Sequence, residues 1–312
     1  MAIAGEGTKT NPYLVHNYNE LKDACKMGRP YEVNYIRLEN DIDCNSKEYP
    51  KGFEWEGINL YYGNQLYDLD LNEHAIRNAY IKNGSYLFQG RQINVNASEG
   101  ITGGYNPSRI RNGKILNVFN NVANNVIKAY GAGSYSGIDT ELIEVSMSID
   151  GNGLKSHAFE MTLFNACSVY YKTAKFESKA GFIKNSTVDY DAVNTDFWIE
   201  SGNPSQSASQ GLFIQNDRSD GKGISGCRFQ GGFSAGNVQF NHLINCVVDM
   251  DITLSTSGFS LFVNSNGVFN KDKIHSEEPY SGSYMIPVTN EEMRSKDPEV
   301  LTEKGFPVVK DV

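Results

Sequence analysis

The sequence predicts an all-β solenoid, in which one coil of short strands stacks on the next. Three observations predict it. A six-residue phrase recurs: apolar, any, usually Asn, small, any, apolar. It reads Ile76-Arg77-Asn78-Ala79-Tyr80-Ile81 and then starts again at Ile110, Phe164, Ile183, Ile224 and Leu243, at separations of 34, 54, 19, 41 and 19 residues. Each gap is close to a small multiple of about 17–20, a period of stacked coils. Second, the 312 residues include 30 Gly, 18 Tyr and 16 Phe, with Asn and Ser between the apolar runs, which is the composition of many strands joined by tight turns. Third, no helical patterns separate the strands, and short strands without crossover helices run parallel only if the chain coils on itself.

Residues 1–45 read as an N-terminal cap. Gly5 to Val15 is a turn followed by a strand. Tyr18 to Met27 forms a short helix, with Leu21, Ala24 and Cys25 on one face and Gly28 as its stop. A strand follows at Tyr35-Ile36-Arg37-Leu38. A solenoid needs such a cap because its first coil otherwise exposes apolar core and unpaired backbone.

Residues 46–270 are the coils. The Asn of the phrase tolerates a left-handed corner, and Asn78, Asn112, Asn185 and Asn245 are expected to stack as a ladder of amides. Cys167, Cys227 and Cys246 fill the small slot. The chain has five cysteines with no CxxC, so they read as reduced core thiols, not a disulfide framework or metal site. Residues 271–312 are a C-terminal tail with a second helix: Asp297 as N-cap, Pro298 at its first position, Lys304 in its last turn and Gly305 at its end. The tail either caps the last coil or docks on a neighbouring molecule.

The order GxGTxxNPYLV, amphipathic helix, YIRLENDID resembles the opening of right-handed parallel β-helix (pectate-lyase-like) domains of bacterial surfaces and phage virions. Leu69-Asp70-Leu71-Asn72-Glu73-His74-Ala75-Ile76-Arg77-Asn78 resembles their first full coil, DGNGHTIxN, with Leu71 and Glu73 where that pattern has glycine. The resemblance covers roughly residues 5–270. It implies a right-handed parallel β-helix and says little about activity.

Charge and composition exclude several classes. A net charge of −9 is no nucleic-acid footprint, and no apolar run is long enough to span a membrane. Met1-Ala2-Ile3-Ala4-Gly5 carries no secretion signal. The histidines at 16, 74, 157, 242 and 275 have no ligand spacing, and there is no GxSxG, P-loop or dinucleotide fingerprint. His74 falls where the resembled coil carries a turn histidine, so its expected role is structural.

Two outward acidic pairs, Asp189/Asp191 and Asp249/Asp251, are the candidate catalytic residues. Alternation puts both carboxylates of a pair on one face, about 7 Å apart along the strand. That spacing suits an inverting glycoside hydrolase or oxygen ligation of Ca²⁺. A solvated acidic face that keeps the sheet from sticking is the plainer reading. A lyase would also need a base such as Arg228 or Lys184. Tyr62, Tyr171 and Trp198 are candidate glycan-stacking or interface aromatics.

The expected function is that of a non-catalytic structural protein of a phage virion: a head fibre, capsid decoration protein or tail spike. The resemblance implies a homotrimer, with other virion proteins, and host-surface glycan, as partners. No cofactor is expected beyond the Ca²⁺ alternative, and the expected location is the virion, after synthesis in the host cytoplasm. The alternatives are a polysaccharide depolymerase using the Asp pairs, and a bacterial glycan-binding surface adhesin.

Overall fold

The computed structural model describes residues 3–98, 101–120, 125–130, 137–151, 157–173, 181–185, 190–201, 211–212, 214–216, 223–235, 238–254, 261–275 and 284–294. Strands dominate, and their pairing is parallel apart from short antiparallel hairpins and bridges such as Ile93–Val95 with Gly104–Asn106 and Tyr61–Tyr62 with Gln65–Asp70. Among the described residues no helix is long and apolar enough to cross a membrane.

The core is organised as rows of in-register side chains. One row runs Tyr13, Ile36, Leu69, Ile110, Leu142, Phe164, Ala192, Ile224, Leu243, each the parallel partner of the next. A second runs Ile42, Ile76, Ile115, Met147, Val169, Phe197, Phe229, Val248, Phe269. A second sheet carries Ile58, Phe88, Ile127, Phe159 and Ile183 in the same way. Apart from Tyr13, 7% exposed, every member is at most 3% exposed. Aromatic pairs knit the rows together: Phe197 stacks on Phe229 at 5.3 Å, and Phe182 meets Phe159 edge-on at 5.2 Å. Each buried ring of this size stabilises by about 1.5–3 kcal/mol.

The two rows of the main sheet are separated by a corner. Its first residue is left-handed in six passes, at Asn112, Glu144, Ala166, Asn194, Gly226 and Asn245, with φ between 48° and 63°. The next residue is Gly113, Val145, Cys167, Thr195, Cys227 or Cys246 and faces inward, where space is short. A Cβ on Gly113 would lie 2.4 Å from Leu71 Cβ, so that glycine is what lets Leu71 fill the site. Polar atoms in the slot bond along the stack: Cys167 N donates to Thr195 Oγ1 (3.2 Å), Thr195 N to Cys227 Sγ (3.4 Å) and Cys246 Sγ to Ile224 O (3.3 Å). All five cysteines are free and buried. Burial pushes the Cys167 thiol up to about 11 and that of Cys44 to about 12.

This register corrects the reading of the repeat. Returns to the second row are not multiples of a fixed length; they range from 19 residues (229 to 248) to 39 (76 to 115). Corner geometry constrains the strands, while the loops between them lengthen at little cost. The single asparagine ladder is not formed. Asn112 and Asn245 occupy the common corner, but Ile76 pairs with Ile115, so Asn78 stands level with Asn117, whose Nδ2 reaches its Oδ1 at 3.5 Å. Asn185 belongs to the second sheet, opposite Asn216. The corners that replace them are Leu142–Met147 and Ala192–Phe197. Val188, at the end of the phrase starting at Ile183, lies outside the described residues.

The N-terminal end is closed by a helix. Helix Tyr18–Ala24, capped by Asn17 accepting from Glu20 N, buries Tyr18, Leu21 and Ala24, with Cys25 buried just beyond. It stops three residues before the predicted end. Gly28 carries φ +113° and a Cβ there would strike Asn34. Glu73, at a glycine position of the resembled coil, is left-handed all the same (φ 65°). Pairing also continues past residue 270, the predicted end of the coils: Tyr284–Val288 adds alongside Asn266–Asn270, and helix Asn290–Arg294 follows. The predicted helix at 298–304 lies outside the described residues.

Candidate functional site

Beyond the corner, strands Ser168–Thr173, Asp196–Ser201, Arg228–Ala235 and Cys246–Leu254 lie in parallel register. Alternation sends Val169, Phe197, Phe229 and Val248 inward, and so places Tyr170, Trp198, Gln230 and Asp249 in one outward row. Lys172, Glu200, Gly232 and Asp251 form the next row. Neighbours in a row are about 4.8 Å apart across the strands.

Glu200 organises the surface. Its carboxylate accepts from Trp198 Nε1 at 2.9 Å and from Tyr170 Oη at 3.3 Å, so two rings on adjacent strands are fixed by one anion. Burial and the Glu200 charge both push the Tyr170 phenol above its usual range, keeping it a neutral donor. Trp198 remains 45% exposed. Gly232 leaves the second row without a side chain between Glu200 and Asp251. The result is an aromatic shelf with a carboxylate at its edge, a geometry that stacks on the apolar face of a sugar and accepts from its hydroxyls.

Both ends of the sheet's outer surface are covered. Near the N-terminus the outward Val33, Tyr35 and Leu66 cluster with Ile93 and Val95 of the short hairpin. Near the C-terminus Met293 of helix Asn290–Arg294 packs on Val247, Val268 and Val288. The shelf lies between these covers.

The predicted acidic residues lie on separate strand segments. Asp249 and Asp251 do share the outward face. Asp249, however, is paired with Lys273 (2.8 Å) and accepts from Asn270 Nδ2 (2.7 Å), while Asp251 faces His275 Nε2 at 3.5 Å. Asp191 sits at a register shift between Tyr190 and Ala192, before the corner, whereas Asp249 and Asp251 lie after it. Asp189 lies outside the described residues. Arg228 and Lys184 occupy different sheets. Arg228 stands opposite Asp196 instead; burial pushes the Asp196 carboxyl up, and the guanidinium only partly offsets this. Among the described residues no three His, Cys, Asp or Glu side chains converge to hold a metal ion. His74 contacts Asp41, which precedes the neighbouring strand, at 3.4 Å.

The aromatic assignments divide. Trp198 is outward. Tyr171 is fully buried against Phe182, 5.3 Å between ring centres, so its neighbour Tyr170 is the surface residue. The apolar slot at Val169 carried that information, since the next residue must face out. Tyr62 is exposed on the hairpin Tyr61–Tyr62/Gln65–Asp70, on a separate surface. Glu200 carried no signal of its own; only the register places it beside both rings. No known protein family, no curated protein and no solved structure matches this chain.

Proposed function

We propose that this chain is a right-handed parallel β-helix serving as a structural, non-catalytic component of a phage virion, such as a head fibre, decoration protein or tail spike. Its Tyr170–Trp198 shelf contacts host-surface glycan. The observation that carries the reading is the unbroken register from Ile42 to Phe269, a continuous stack of parallel strands suited to a stiff spacer. The likeness of the opening residues to virion β-helices supports the same reading. So does the engagement of Asp249 by Lys273 and Asn270, which turns that carboxylate to a structural task.

Two measurements test it. Mass spectrometry of purified particles should recover peptides of this chain, and light scattering should give three times the 34.7 kDa subunit. A monomer absent from particles would overturn the proposal. On a glycan array, Trp198→Ala should weaken retention at least tenfold with no change in melting temperature. Release of reducing ends from bacterial polysaccharide, lost in Asp251→Asn, would favour the depolymerase instead.

A further inference from the structure

A second surface, remote in sequence from the shelf, has the form of a ligand site. Between the N-terminal helix and the strands Ile58–Asn59 and Tyr61–Tyr62 lies a cleft of about 280 Å³. Its walls include Lys22, Lys26, Asn59, Tyr61, Tyr62 and Tyr86. Ligand sites run from roughly 300 to 1,000 Å³, so this one takes a small molecule or the end of a chain, not a large cofactor.

The rings are held in place. Tyr86 Oη donates to Asn59 Oδ1, and Tyr61 Oη donates to Gln89 Oε1 at 3.0 Å. Tyr61 also packs edge-on against Tyr130 at 4.9 Å, with the Arg91 guanidinium 4.4 Å above the Tyr130 ring. Against these fixed walls Tyr62 stands 56% exposed, an aromatic face open to solvent. Rigid tyrosines offer a stacking surface at little entropic cost on binding.

The charge at the cleft opposes that of the chain. The molecule carries −9 overall. Here Lys22 and Lys82 share one anion, Glu56, at 2.8 and 3.4 Å. Lys26 touches Asp23 across one helical turn at 3.2 Å, with both side chains more than half exposed. Lys128 lies 5.6 Å over the Tyr86 ring. Four ammonium groups thus meet two carboxylates around one aromatic cleft. Exposed pairs of this kind are weak and exchange partners readily. Lys26 can therefore turn from Asp23 to a ligand anion.

We propose that this cleft binds a sugar ring carrying an anionic substituent, with Tyr62 stacked on the ring and Lys26 facing the anion. An anion without a ring would leave the tyrosines unused, and a neutral sugar would leave the lysines unused. This site is independent of the virion reading: particle incorporation and the Trp198→Ala array test that reading, and chemical shifts at Tyr62 and Lys26 test this one.

The test is an NMR titration of the full chain with four probes: 3′-sialyllactose for a carboxylate, glucose 6-phosphate for a phosphate, lactose as the neutral sugar, and a thymidine octanucleotide. At least one anionic sugar should bind, at least tenfold more tightly than lactose; which one binds identifies the anion. Tyr62→Ala should weaken it tenfold or more, and Lys26→Gln three- to tenfold. Tyr284→Ala, an exposed ring outside both surfaces, should leave it unchanged. Binding should weaken as salt rises. Because a variant can fail by unfolding, the ligand should also protect Lys26 of the wild-type chain from amine acetylation. No binding by either anionic sugar, equal shifts at Tyr62 with lactose, tighter binding of the oligonucleotide, or loss through Tyr284→Ala would each overturn the assignment.

Discussion

At the scale of single residues, the corner decides the most. A non-glycine residue held left-handed costs about 1–2 kcal/mol, unless it is Asn or Asp with a local hydrogen bond. Asn112, Asn194 and Asn245 meet this need cheaply, whereas Ala166 at φ 52° and Glu144 at φ 54° do not. Glycine in place of alanine normally loses about 0.5–1 kcal/mol to chain entropy. At Ala166 the relief of strain outweighs that loss. Ala166→Gly is therefore expected to raise stability by about 0.5 kcal/mol, read as an increase in urea midpoint; a lower midpoint would show that the corner is not strained. Asp41 makes the second residue-scale case. Burial pushes its carboxyl up, but the hydrogen bond from Ala75 N (2.8 Å) and the charge of Arg77 outweigh it and hold the carboxyl below its usual range. A depressed carboxyl stabilises the fold above its unfolded pKa of about 3.9, and that contribution disappears as pH falls through the folded value. The melting temperature of Asp41→Asn should therefore fall below wild type at pH 7 and converge with it near pH 2. A gap that persists at low pH would assign the effect to lost hydrogen bonds, not to charge.

At the scale of elements, strands are stabilised by the row to which they belong. Phe229 is fully buried, stacked on Phe197 and edge-on to Phe240 at 5.5 Å. Truncating such a ring leaves a cavity that flanking strands cannot close, because their backbones are fixed by pairing on both sides. Phe229→Ala should cost about 3–5 kcal/mol, measured by denaturant unfolding. Trp198→Ala, one position along on the outward face of the adjacent strand, should be nearly neutral. The contrast tests the alternation of faces directly. Parts of this were legible beforehand: the apolar positions of each phrase predicted inward residues, and alternation then predicted that only one of Tyr170 and Tyr171 lies outside. Which one could be read from Val169. The Asp249 ion pair could not, because Lys273 comes from a segment with no repeat signal.

At the scale of the whole molecule, the parallel register can be checked by cross-linking. Tyr170 and Trp198 are direct partners on adjacent strands, within the Cα separation a disulfide accepts. A chain bearing Tyr170→Cys and Trp198→Cys should cross-link under mild oxidation. One bearing Tyr170→Cys and Asp251→Cys should not, since two strands intervene. Cross-linking of the second pair in preference to the first would mean that the stacking order is wrong. The same stacking explains why loop length is free: each strand answers only to its neighbours, so residues inserted between them leave both rows intact.

The sequence by itself determined that this chain is all-β, that its apolar phrases point inward, that small residues follow a left-handed corner, and that a short helix closes the N-terminal end. These are local properties, written in side-chain size, alternation and backbone preference. Only the tertiary structure decided which phrases are equivalent, shifting Ile76 by a step and sending Ile183 to another sheet. It alone set Glu200 between two rings and brought Lys22 and Lys26 to Tyr62 and Tyr86. The reason is physical: a six-residue phrase specifies a bend, but which strands pair depends on the unequal loops between them, and no single phrase encodes their lengths.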